Sequence, residues 1–213
     1  MRFINQPQTL KAIKVLFLIL LIYTVSGGNA SQEFLTRTVH GAAQKGVIII
    51  CYSRLGTTRT IAREMARNIR CEIEEIISNE NRHGLWTVNC VFDQLFDWDD
   101  EVVLLYRDVT EYNPVIIAGP IWIHRFATPL CTMLKKLDLR GKDVYVLVTN
   151  QGNYSEKDEK NVRDSLKERG ADIRGYASIM TRNKTENELK RETLTVIEDV
   201  YKIFPNLKPQ AAK

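Results

Sequence analysis

The sequence predicts an α/β fold, a three-layer, doubly wound, five-stranded parallel sheet. Three observations carry that prediction. The apolar runs 47–51 (VIIIC), 114–119 (PVIIAG) and 144–149 (VYVLVT) are unbroken and rich in β-branched residues, as strands covered on both faces are. Each ends in turn residues and passes into helical periodicity. Two alternating segments, 71–77 and 171–179, add flanking strands, so strand and helix alternate five times. In such sheets ligands bind beyond the carboxyl ends of the strands.

The chain has 213 residues, 44% hydrophobic and 26% charged, which suits one globular domain with an appendage. A domain of ~180 residues buries roughly 70% of its unfolded surface, so neither disulfides nor a structural metal are needed. The net charge of +4 comes largely from one end. Arg2, Lys11 and Lys14 fall in the first thirty residues, which hold no acid; without these three of the 30 basic residues, 27 face 26 acids. That balance gives no reason to expect a nucleic-acid partner. The four cysteines, Cys51, Cys71, Cys90 and Cys131, have no metal-ligand spacing. Cys51 ends one strand and Cys71 begins its parallel neighbour, on the order of 13 Å apart at ~3.3 Å per residue, so no disulfide is expected between them.

Residues 1–30 read as a signal peptide or an uncleaved N-terminal anchor. The three bases precede an apolar run at 15–23, and Ser26-Gly27-Gly28-Asn29-Ala30 supplies small residues at a cleavage site. The run is short of the ~20 apolar residues that a membrane span needs. Export to the periplasm or outside the cell is therefore expected, or membrane association through this segment. Residues 31–45 are a polar linker, 46–204 the domain, and 205–213 a C-terminal tail.

Within the domain, strand 47–51 leads into a Ser/Thr/Gly turn and then a helix. Ile61, Ala62, Met65, Ala66 and Ile69 mark its apolar face, while Arg59, Arg63, Arg67 and Arg70 form a stripe read as solvated or as contacting an acidic partner or membrane surface. Segment 71–77 is a strand at or near an edge. Val91, Leu95 and Phe96, then Val102, Val103 and Tyr106, predict one or two helices, with Asp97, Asp99, Asp100 and Glu101 at a helix start. Strand 114–119 opens into the loop 120–125, and a helix with Phe126, Leu130, Met133, Leu134 and Leu137 runs toward Gly141. After strand 144–149 and loop 150–154, Ser155 and Asp158 make a capping box for a helix anchored by Val162 and Leu166 alone. Segment 171–179 is the outer fifth strand. The last helix starts near Thr185, buries Leu189, Leu194, Ile197, Tyr201 and Phe204, and ends at Pro205.

Three exit loops thus converge. The first, Ser53-Arg54-Leu55-Gly56-Thr57-Thr58, offers hydroxyls and backbone N–H groups at a helix start, with Gly56 allowing close approach of an anion. The second carries Pro120, Ile121, Trp122, His124 and Arg125, and the third Asn150, Gln151, Gly152, Asn153 and Tyr154. A flat aromatic ring with a phosphate tail fits hydroxyls flanked by Trp122 and Tyr154. No Lys follows the loop glycine as in a triphosphate P-loop, and there is no GxGxxG dinucleotide pattern.

These residues resemble the flavodoxin family. Its phosphate-loop pattern, an apolar strand, Ser or Thr, two residues, Gly, one residue, Thr, three residues and Ala, is matched by Ile49-Ile50-Cys51-Tyr52-Ser53-Arg54-Leu55-Gly56-Thr57-Thr58 with Ala62 in step. Cys51 stands where an aromatic is usual, Leu55 where a hydroxyl is common, and Thr57 where Asn is frequent. Gly119-Pro120-Ile121-Trp122 is similar to the loop whose aromatic stacks on the isoalloxazine ring, and 138–142 (DLRGK) to a D-L-x-G-K connection. Tyr154 lies where short-chain flavodoxins carry the tyrosine of the opposite ring face, and the distance from Asn150 to Ala171 leaves no room for a long-chain insertion. The resemblance covers 46–203. It implies strand order 2-1-3-4-5, FMN as cofactor, its phosphate on Ser53 to Thr58, and its ring between Trp122 and Tyr154 with the backbone of 150–153. It further implies either reduction of a quinone or similar acceptor with a nicotinamide donor, or single-electron transfer between redox partner proteins. A flavodoxin fold serving as a flavin-free binding module is the remaining alternative.

Overall fold

The computed structural model describes residues 46–78, 99, 101–103 and 105–209. Contacts divide the chain into Met1–Thr36 and Arg37–Lys213, and the expected signal segment and linker lie outside the described residues. Among the described residues no helix is long and apolar enough to cross a membrane.

The elements are β1 (Ile48–Cys51), α1 (Thr57–Ile69), β2 (Glu72–Glu75), β3 (Val115–Trp122), β4 (Arg125–Phe126), α2 (Thr128–Lys136), β5 (Asp143–Asn150), α3 (Glu156–Lys167), β6 (Asp172–Met180) and α4 (Glu186–Ile203). The parallel strands stand in the order β2-β1-β3-β5-β6, and β4 pairs antiparallel with the end of β3. Counting parallel strands alone, this is the predicted order 2-1-3-4-5.

Each continuous apolar run feeds two cores at once, because successive strand residues point to opposite faces. Ile48 and Ile50 join Ile117, Val146, Leu130 and Met133 of α2 and Val162 and Leu166 of α3. Ile49 and Cys51 join Ile116, Leu147, Met65 of α1 and Val200 of α4. Fully burying an Ile contributes about 1.5–3 kcal/mol, and all four residues of β1 are buried. The second core runs into the expected tail, where Leu207 of the 3-10 turn Pro205–Leu207 is buried. Tyr145, fully buried on β5, donates its hydroxyl to Asp199 at 2.8 Å. The β5/β6 register shifts there, setting Tyr145 against Gly175, and a Cβ at Gly175 would lie 2.5 Å from the tyrosine ring.

Four expectations change. Val102, Val103 and Tyr106 are not helical. Val102 bridges Ser78, and the chain reaches β3 through a 3-10 turn at Val109–Glu111. The cause lies in β2, where the buried carboxylate of Glu74 needs partners and takes them from the Tyr106 N–H and from Arg107. The helix read from Val91, Leu95 and Phe96 lies outside the described residues, as do Asp97 and Asp100; Asp99 pairs with Lys135 at 2.7 Å. On α4, Leu194 is exposed and Thr193 buried in its stead, its hydroxyl satisfied by the Leu189 carbonyl at 2.7 Å. The α1 arginine stripe is largely bound by the protein's own acids: Arg59 and Arg63 converge on Glu75 of β2, and Arg67 pairs with Glu64. Lastly, 120–125 is no open loop. β3 continues through Trp122, turns over Ile123 and His124, and returns as β4 with Trp122 opposite Arg125.

Candidate functional site

The three predicted segments all leave the carboxyl edge of β1, β3 and β5, which are hydrogen-bonded neighbours. At the first, Ser53 is buried, Leu55 is 81% exposed, and Gly56 takes the N-cap of α1 at φ +92, a left-handed conformation in which a side chain is strained. No side chain caps this helix and no acid lies in its first turn. Its leading N–H groups are therefore offered outward with the positive end of the helix dipole. One of the predicted hydroxyls, and that of the nearby Thr60, are engaged elsewhere. Thr58 Oγ1 lies 2.8 Å from Thr149 Oγ1 at the end of β5, and Thr60 donates to the Gly56 carbonyl at 3.1 Å. Among the described residues no hydrogen bond engages the Ser53 or Thr57 hydroxyl. The Thr58–Thr149 pair ties the first turn of α1 to the strand that carries the third loop.

At the second segment Trp122 is half-buried, and its ring and that of Tyr52 meet in a T-shaped pair, centroids 5.9 Å apart at 83°. Tyr52, itself buried, follows Cys51. Because strand residues alternate, Cys51 faces α1 while Tyr52 faces Trp122, and Tyr52 supplies an aromatic that the sequence pattern seeks one position earlier. Burial pushes the Cys51 thiol well above its ordinary range, so it acts as an apolar residue; Cys51, Cys71 and Cys131 are all free.

The third segment is ordered from within. Asn150 accepts from the Gly152 N–H at 2.8 Å and donates to Ser178 Oγ at 2.9 Å, and Gln151 donates to Thr181 Oγ1 at 3.0 Å. Gly152 is left-handed at φ +105 beside Met180. Tyr154 stacks on Tyr176 with centroids 6.4 Å apart, so one face of the ring is taken by the protein. Both hydroxyls are buried without a hydrogen-bond partner among the described residues, and burial pushes that of Tyr154 up to about 12. No group of His, Cys, Asp and Glu able to hold a metal occurs among the described residues.

Sequence reasoning missed Tyr52, Thr149 and the Ser178 and Thr181 hydroxyls. All act across strands, and no local spacing encodes them.

No family model matches the chain and no curated protein does. Solved structures do. A flavoprotein in complex with FMN from Lactobacillus acidophilus NCFM superposes with a TM-score of 0.54 at 22% identity, over 63% of this chain and 93% of that one. A protein described as a flavoprotein from Bacteroides eggerthii DSM 20697 gives 0.52 at 19%, over 73% and 99%. A flavodoxin, WrbA-like protein, from Agrobacterium tumefaciens gives 0.50 at 10%, over 76% and 99%. Strand order, the loop edge and these neighbours agree that the chain has a flavodoxin-like fold.

Proposed function

We propose that this protein binds FMN and works as a flavodoxin-like redox protein, reducing a quinone or similar small acceptor at the expense of a nicotinamide donor. The observation that carries the reading is the pairing, on one strand edge, of an uncapped acid-free helix start with the half-buried Trp122. The N–H groups leading α1, with Ser53 and Thr57, would hold the phosphate. Trp122, braced by Tyr52, would hold the ring, with the backbone of Asn150 to Asn153 and the remaining face of Tyr154 bordering it. FMN, when bound, supplies the redox chemistry, and the protein sets its position and surrounding charge.

Reduction of an acceptor is favoured over simple carriage by charge. The three loops contain Arg54 and Arg125 but no acid, and positive surroundings favour the anionic reduced form of a flavin. A specific observation favours the carrier as second reading: Leu55, Ile123 and Met180, 81%, 47% and 44% exposed, give the same edge an apolar rim for a protein partner. Localisation follows the N-terminal pattern: a mature chain starting at Ser31 is the expected sign of export, and an uncleaved N-terminus that of membrane anchoring.

Purified protein should take up FMN, turn yellow and quench flavin fluorescence. Trp122→Ala should weaken that binding about 30-fold, ~2 kcal/mol. A chain that stays colourless with added FMN is the flavin-free module instead. Steady NAD(P)H oxidation with a quinone supports the reductase; one-electron exchange with proteins and no such turnover supports the carrier.

A further inference from the structure

One titratable pair at this edge takes no part in the phosphate or ring contacts assigned above. His124 is the second residue of the turn between β3 and β4. It lies in the left-handed region at φ +67, beside Ile123 at φ +43. A β-branched residue there is strained by roughly 1–3 kcal/mol and persists only where its surroundings enforce it. The enforcement comes from α3. His124 Nδ1 lies 2.7 Å from Asp158 Oδ1, and Asn161 donates to the His124 carbonyl at 2.9 Å. Asp158 is fully buried, and its second oxygen accepts from Ser155 N and Oγ, both at 2.7 Å. Burial raises this carboxyl's pKa, but the hydrogen bonds from Ser155 and His124 outweigh it and hold the group below its ordinary value.

The chemistry of the pair follows. An ionised carboxylate only accepts, so Nδ1 carries the hydrogen, and in the neutral ring Nε2 keeps its lone pair. The side chain is 50% exposed, so Nε2 is open to proton exchange with water. Its position is set by both ring loops, two residues beyond Trp122 and bonded to the helix that begins directly after Tyr154.

We propose that His124, oriented by Asp158, is a proton-accepting group of the ring pocket that binds one proton as the bound flavin is reduced. This rests on the FMN reading. Hydride from a nicotinamide donor brings two electrons and one proton, and leaves the ring with one negative charge. His124 Nε2 would take a second proton from the bulk solvent, which matches that charge. By linkage the effect is reciprocal, and the proton on His124 favours the reduced state by as much as reduction favours the proton. The charged groups next to the imidazole are Asp158 of α3, bonded to it, and Arg125, the next residue along the chain in β4. Loop 150–153 has no titratable group, and the Tyr154 hydroxyl, at about 12, is silent near neutrality.

The test is the midpoint potential of the FMN-loaded full chain between about pH 5 and 9, with proton uptake on reduction measured in parallel. In the wild type the slope should be steeper than in the His124 variant below by about 30 mV per pH unit over one window of this range, the signature of one extra proton per electron pair. His124→Gln should lose that extra slope and its proton while still binding FMN. Asp158→Asn, which keeps the imidazole but removes its ionised partner, should move that window toward acid. A merely structural histidine would shift the potential or the FMN affinity and leave the slope intact. An unchanged slope in His124→Gln, or an unmoved window in Asp158→Asn, overturns the inference and leaves the FMN reading standing. Failure of the wild type to take up FMN overturns both.

Discussion

The starts of α1 and α3 lie at the same edge of the sheet and are built in opposite ways. Ser155 and Asp158 close α3 with a complete capping box, and Glu156, Asp158 and Glu159 lie in its first turn. α1 has Gly56 at its N-cap, no capping side chain and no acid. α2 also lacks a side-chain cap, but Pro129 removes one of the N–H groups that would need one. A helix start closed by its own chain is structural, and one left open leaves its leading N–H groups to water or to a ligand. The difference separates what holds this edge together from what the edge offers to a ligand.

Four experiments break or sharpen that contrast. Asp158→Ala opens the closed end, stripping Ser155 and His124 of their partner, and should cost about 3 kcal/mol of stability in chemical denaturation. Acid should act on the same group. Its folded pKa lies below the unfolded value of about 3.9, so its contribution is present above that value and is lost as pH falls through the folded pKa. Asp158→Asn should lack this part of the loss in acid-unfolding curves. Thr58→Val tests the anchor of the open end. It leaves the buried Thr149 hydroxyl unpaired at a cost of about 1.5 kcal/mol, and the double variant with Thr149→Val should recover roughly half in a double-mutant cycle. The smallest effect on stability comes from giving α1 an acid. Thr57→Glu should stabilise the flavin-free protein by about 0.5 kcal/mol through the helix dipole while weakening FMN binding about 10-fold, and melting and fluorescence titration together read the opposing signs.

The strands, their order of succession and the loop edge were legible because a strand buried on both faces leaves an unmistakable apolar run. The capping box of α3 was legible because its partners are three residues apart. The His124–Asp158 and Thr58–Thr149 bonds, 34 and 91 residues apart, depend on strand adjacency that no local pattern records. Val102, Val103 and Tyr106 misled by falling at helical spacing, whereas the buried charge of Glu74 decides their conformation. Trp122 was found in its loop, yet that loop is a hairpin, since only cross-strand pairing with Arg125 distinguishes the two. Tyr154 was placed by analogy at the ring, and its stacking on Tyr176 is a tertiary fact that its position in the chain does not reveal.

The meeting of Tyr145 with Gly175 bears on how this sequence can change over time. The ring fills the space that a side chain at 175 would occupy, so the two positions share one volume and their substitutions are not independent. Alanine at 175 alone forces overpacking, and a smaller residue at 145 alone leaves a cavity and strands Asp199. Drift through this part of the fold must therefore pass through paired steps, with the ring reduced before the glycine is filled.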